Sequence, residues 1–219
     1  MGRFLALTIL VAAIGFIMIQ LFKFFVSINS SRSQVRRDVE ELKLKMMEMV
    51  KGLVPMNKQE LELLSVNQSD VNISRGINSV KTGAFTSIYN EPLLAYAYKN
   101  YSAGNKSVLL VSTNSDDFIY MSEGSRTKVF LNNSELGVID SDGNMYDPVS
   151  KQQMARIEAD HVLSSHPVKI GEKEIGEIVN LRLKDSPNPR AYQFLEPMNK
   201  REEDLFKALT FLSLVEESI

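Results

Sequence analysis

The chain has 219 residues, with 27 acidic side chains against 25 basic ones, a formal net charge of −2 and no cysteine. That balance excludes the strongly basic surface of a nucleic-acid-binding protein, and the missing thiols exclude disulfides and thiolate metal sites. Hydrophobic residues make up 44% of the chain, enough for one domain of ordinary size with an appended segment.

Residues 4–22, FLALTILVAAIGFIMIQLF, carry no charge, and Thr8 and Gln20 are their clearly polar interruptions. At roughly 1.5 Å per residue such a run approaches the roughly 30 Å of a bilayer's hydrocarbon core. It is longer than the apolar region of a signal peptide, only Arg3 precedes it, and no small-x-small site follows. Residues 1–27 are therefore expected to form an uncleaved transmembrane anchor. Arg3 stands before the run and Lys23, Arg32, Arg36 and Arg37 after it, which puts the large domain of a single-pass protein on the cytoplasmic side.

Residues 28–65 read as a helical stalk. Val35, Val39, Leu42, Met46, Met49 and Leu53 recur at alternating spacings of 4 and 3, the seam of a short coiled coil, with charged residues on the other faces. The seam suits a second copy of the chain, a partner helix or the chain's own domain. Gly52 and Pro55 end it. Residues 66–82, VNQSDVNISRGINSVKT, are polar and turn-rich and read as linker.

From position 83 to 219 the period changes to that of a β domain. Twelve candidate strands run from 84–89 to 191–195, among them 93–98, 107–112, 144–146, 162–163 and 174–183. Asn132-Asn133, Ser141-Asp142-Gly143 and Gly171-Glu172 are turn formers between them. Two hairpins repeat: FLNNSELGVI at 130–139 and KIGEKEIGEI at 169–178, with a weaker copy in QMARI at 153–157. In each, a small residue shares a strand face with an isoleucine two places on, which points to a close approach by another element. A helix near the end supplies a candidate. Asn199 and Glu202 form a capping box, and Leu205, Phe206, Leu209, Phe211, Leu212 and Val215 leave almost no polar face, so this helix is expected to be buried on nearly every side.

A mainly β domain of about twelve strands around a buried C-terminal helix, built from hairpins such as FLNNSELGVIDSDG, QQMARIEAD and VKIGEKEIGEIVN, resembles the tubby-like fold. The tubby C-terminal domain, the phospholipid scramblases and the LURP-one-related proteins share that fold. The resemblance covers residues 83–219 and rests on architecture. It implies a helix threaded through a barrel, and lipid binding or lipid handling as one function. It transfers no lipid-binding residue, since no matching basic cluster is present, and the anchor lies at the front of this chain rather than in its last helix.

The sequence offers no catalytic, cofactor-binding or metal-binding set. His161 and His166 are the only histidines, and their spacing does not share a helix face. Asp140, Asp142 and Asn144 imitate the start of a calcium loop, but Met145 and Lys151 break the pattern. No nucleophile elbow, phosphate loop or dinucleotide fingerprint occurs. The expectation is a non-enzymatic, membrane-anchored binding or scaffold protein, or an accessory subunit of a membrane complex, with a protein partner or a second copy held through the stalk. Lipid handling is the alternative, and a hydrolase with scattered carboxylates is the third. The tyrosine-rich segment 89–101 is a further candidate surface.

Overall fold

The computed structural model describes residues 32–74, 79–101, 105–159, 164–180 and 190–219. The expected anchor, residues 1–27, lies outside the described residues, as does the expected strand 162–163. Among the described residues no helix is long and apolar enough to cross a membrane.

Helix α1, Arg32–Lys51, is rich in straight-chain Glu, Lys, Met and Leu, which lose little rotamer freedom in a helix. Exposed ion pairs at i,i+4, Arg36–Glu40 at 3.7 Å and Glu41–Lys45 at 2.8 Å, add a few tenths of a kcal/mol each. The helix stops at Gly52, whose N–H donates to the Met49 carbonyl. A one-turn helix α2, Lys58–Glu62, follows, capped by the Asn57 side chain, which accepts from the Glu60 N–H.

Among the described residues twelve strands then follow with no helix between them: β1 Leu64–Ser74, β2 Val80–Ser87, β3 Pro92–Tyr101, β4 Lys106–Ser112, β5 Asp117–Glu123, β6 Arg126–Leu131, β7 Ser134–Asp140, β8 Asn144–Tyr146, β9 Gln153–Ile157, β10 Ser165–Ile170, β11 Lys173–Val179 and β12 Tyr192–Leu195. They form one 12-stranded sheet in chain order, each strand antiparallel to its neighbours. The two ends of the sheet meet where Ser65 bridges Arg190 and the Ala191 N–H donates to the Leu64 carbonyl at 2.8 Å. The result is a near-closed barrel. Its tight turns use residues that tolerate positive φ: Asn132 and Asn133 at 49° and 70° between β6 and β7, and Gly143 at 79° between β7 and β8.

Helix α3, Lys200–Glu216, lies inside this sheet. Its start carries the capping box: Asn199 accepts from the Glu202 N–H, and the Glu202 carboxylate accepts from the Asn199 N–H. From Leu205 to Leu212 every residue is buried, with Leu214 and Val215 beyond. Phe211 meets Phe118 of β5 edge-on at 5.4 Å, and Phe206 packs on Tyr192 of β12 at 5.0 Å. Each large apolar side chain on α3 contributes about 1.5–3 kcal/mol on burial, so packing dominates over the roughly 1 kcal/mol of a cap. The polar groups carried inside are paired. Tyr120 donates to the Ala208 carbonyl at 2.9 Å, Thr210 donates to Phe206 and bonds Tyr192, and buried Lys207 pairs with Glu203.

Three expectations need correction. The described residues of the expected linker 66–82 are mostly strand: β1 occupies them as far as Ser74 and β2 from Val80, paired at Asn72↔Thr82 and Ile73↔Lys81. Beyond Leu64 and Ser65 this strand is half-buried or exposed, so it carries no apolar alternation, and Asp70 at φ 53° with two register shifts breaks its period. The helical stalk likewise does not reach residue 65, because Gly52 ends α1 and the barrel begins at Leu64. At Gly137, in the repeated hairpin, the close approach comes from β8 rather than from the C-terminal helix: a Cβ there meets Met145 at 2.7 Å and the Tyr146 carbonyl at 2.9 Å.

Candidate functional site

The barrel's two ends differ. The N-terminal end of α3 sits among the β4–β5 and β6–β7 turns, where Lys200 bonds Asp204 and approaches Asp116, and the Asn132 amide donates to Asp116. The C-terminal end of α3 emerges at the opposite mouth, where Lys81 of β2 donates to the Ser218 carbonyl at 2.6 Å. A cavity of about 1050 Å³ opens there. Its floor includes Leu209 and Leu212 of α3 with Ile139 of β7 and Ile157 of β9, all supplied by the core face of their elements. Its rim is hydroxyl, amide and carboxylate: Tyr98, Asn100 and Tyr101 at the end of β3, Ser107 and Ser122 on β4 and β5, and the Asp140–Gly143 turn.

The charge on this rim is mostly negative. Asp140, Asp142, Glu216 and Glu217 line the cavity against Lys106, which is itself paired with Glu123 at 3.0 Å. The last turn of α3 adds the negative end of a helix dipole. Burial raises the Glu216 carboxyl above the ordinary range, and the neighbouring Glu217 charge raises it further. Asp140 goes the other way. Burial pushes it up, but the N–H groups of Asn144 and Asp142, the Asn144 amide and the Tyr146 hydroxyl outweigh that and hold it below the usual carboxylate range. Asp140 is thus the keystone of a turn, which accounts for the calcium-loop likeness. Among the described residues no group of three or more His, Asp or Glu side chains is placed to hold a metal ion. His161 lies outside the described residues, and His166 is buried in β10.

The stalk residues do not stand free. Leu42, Met46 and Leu53 are buried against the outer face of the sheet, on Val80, Ala95, Ala97, Val108, Leu110 and Ile119, and Val35, Val39 and Met49 pack beside them. The seam is therefore filled by the chain's own domain. Its polar rivet is Asp38, which accepts from Lys99 of β3 at 2.9 Å and from the Tyr101 hydroxyl. Asp38 and Lys99 are both buried. Burial and the Asp38 charge raise the Tyr101 phenol well above its ordinary range. Midway along α1 Lys43 bonds Asp117 at 2.6 Å, and just past its other end the Val54 N–H donates to the Pro92 carbonyl. Helix α1 therefore runs from the cavity mouth to the far end of the barrel.

The helix residues Leu205, Phe206, Leu209, Phe211, Leu212 and Val215 are all buried inside the sheet, and Leu209 and Leu212 also reach the cavity floor. The tyrosine-rich segment is largely β3: Tyr96 is buried and donates to Gln68 at 3.0 Å, Tyr98 and Tyr101 line the cavity, and Tyr89 is exposed in the preceding turn. The cavity itself was not legible as a site. Its rim residues are scattered over several strands and a helix, and those that stood out in the sequence, Asp140 and Asp142 in the turn and Tyr98 and Tyr101 in the tyrosine-rich segment, did so for unrelated reasons.

Fold and site together define a mainly β, near-closed barrel around a C-terminal helix, with an acidic cavity at one mouth. Comparison of the chain with protein-family models, with curated proteins and with solved structures finds no match.

Proposed function

We propose that the chain is a membrane-anchored, non-catalytic binding protein that holds a partner at the membrane as an accessory subunit or scaffold. The observation that carries this reading is the path of α1. The chain leaves the apolar run at residues 4–22 and enters a helix fastened to the barrel by the Asp38–Lys99 pair and the filled seam. That fastening fixes the point on the barrel at which the chain arriving from the apolar run joins the domain. With the seam filled, contact with a partner helix moves to the outer side of α1, where Leu44 and Met47 are exposed. The excess of Lys and Arg after the apolar run favours a cytoplasmic domain.

A second reading is lipid handling. The barrel is consistent with tubby-like architecture, and the cavity combines an apolar floor with a polar rim, as an amphipathic ligand requires. The acidic rim opposes an anionic headgroup at this mouth and favours a neutral or cationic one.

The test is extraction of the native protein in mild detergent, followed by its mass and the identity of what travels with it. A stoichiometric protein companion supports the scaffold reading. A monomer or homodimer without companions removes it and shifts the weight to lipid, to be followed by binding to phosphatidylcholine vesicles with and without anionic lipid.

A further inference from the structure

We infer that the barrel mouth holding the cavity, rather than the barrel's flank or its opposite end, is apposed to the bilayer surface. The inference rests on the anchor proposed above. Nine residues, 23–31, separate the apolar run from the start of α1. Fully extended they reach at most about 32 Å. Helix α1 starts at Arg32, passes the cavity mouth at Asp38, where that side chain meets Lys99 and Tyr101, and runs roughly 20 Å further to its other end at Lys51, roughly 30 Å from its start. Bringing the far end to the membrane would use nearly the whole reach of the connection simply to run back along α1. Bringing the mouth there uses almost none.

The surface agrees with that placement. Val71 and Ile73 are exposed on β1 near the mouth, at 46% and 59%. Ile73 is the register partner of Lys81, and Lys81 donates to the Ser218 carbonyl, which sets exposed Ile219 beside them. Three exposed apolar side chains thus gather at the cavity end, where a lipid interface takes them up. The far end has Tyr89 and Val149 in separate turns. A ligand would therefore enter the cavity from the membrane–water interface rather than from bulk solvent.

The chain has no cysteine, so single labels are clean. The full chain with Ser125→Cys in the β5–β6 turn, or Val149→Cys between β8 and β9, is labelled with a donor fluorophore and reconstituted into phosphatidylcholine vesicles carrying headgroup-labelled acceptor lipid. Since α1 covers roughly 20 Å between its contact at the mouth and its other end, transfer from the Ser125 label is expected to exceed that from the Val149 label at least about twofold. Asp142→Cys gives an independent mouth position and should match Ser125→Cys. Flotation of the vesicles after an alkaline wash reports the anchor separately. Chain that floats but shows equal or reversed transfer overturns the orientation and leaves the anchor standing. Chain that does not float overturns both.

Discussion

At the residue scale, Asp140 shows how one carboxylate shapes a site without entering its chemistry. Its oxygens accept from two backbone N–H groups, the Asn144 amide and the Tyr146 hydroxyl, and so fix the turn that forms one side of the cavity rim. Asp140→Ala is expected to cost about 1–3 kcal/mol in urea unfolding at pH 7, because several donors lose a charged partner. The cost should depend on pH with a definite sign. The folded-state pKa is depressed, so the carboxylate stabilises the fold fully above its unfolded value of about 3.9 and loses that contribution as pH falls through the folded value. Wild type and Asp140→Ala should converge in stability as pH falls below the unfolded value and on through the lower folded one. A difference that stays constant from pH 7 to pH 3 would assign the loss to packing instead.

At the scale of the element, α1 turns on a buried ion pair. Lys99 and Asp38 are almost wholly enclosed between the helix and β3, with Glu41 at 3.5 Å from the same ammonium. Removing one member leaves a buried charge without its partner, so Asp38→Ala or Lys99→Met should each destabilise by about 3–5 kcal/mol. The double variant Asp38→Leu with Lys99→Met should recover most of that loss, as an apolar pair of similar volume fills the space. A double-mutant cycle in chemical denaturation measures this coupling, and additive losses would mean that the pair is not the rivet. The seam residues of α1 were legible in the sequence, but what they pack against was not. An a/d stripe is the same stripe whether it meets a second helix or a sheet. The discriminating signal lay elsewhere, in the unbroken apolar runs Leu93–Ala97 and Val108–Val111. Such runs belong to strands covered on both faces, and α1 supplies the outer cover.

At the scale of the whole molecule, the strands and the C-terminal helix were readable because both periods, the turn residues and the capping box agree with the fold. β1 was missed because its exposed residues and bulges hide a strand inside a polar composition. The cavity was missed because it exists only once the barrel has curled around α3. That dependence makes Leu209→Asp a test of the architecture: a charge introduced at a side chain 2% exposed inside the barrel should abolish folding. A folded, soluble Leu209→Asp chain would move the helix out of the core. The order of the sheet has a consequence for synthesis. Each strand pairs with the one made just before it, so the sheet is able to grow strand by strand as the nascent chain leaves the ribosome. The helix that fills it is made after all twelve strands, and the seam at Ser65 and Arg190 joins the first strand to the approach of the last. Until then the inner surface stays open and apolar, so the half-made barrel is the stage at which this chain most needs a chaperone.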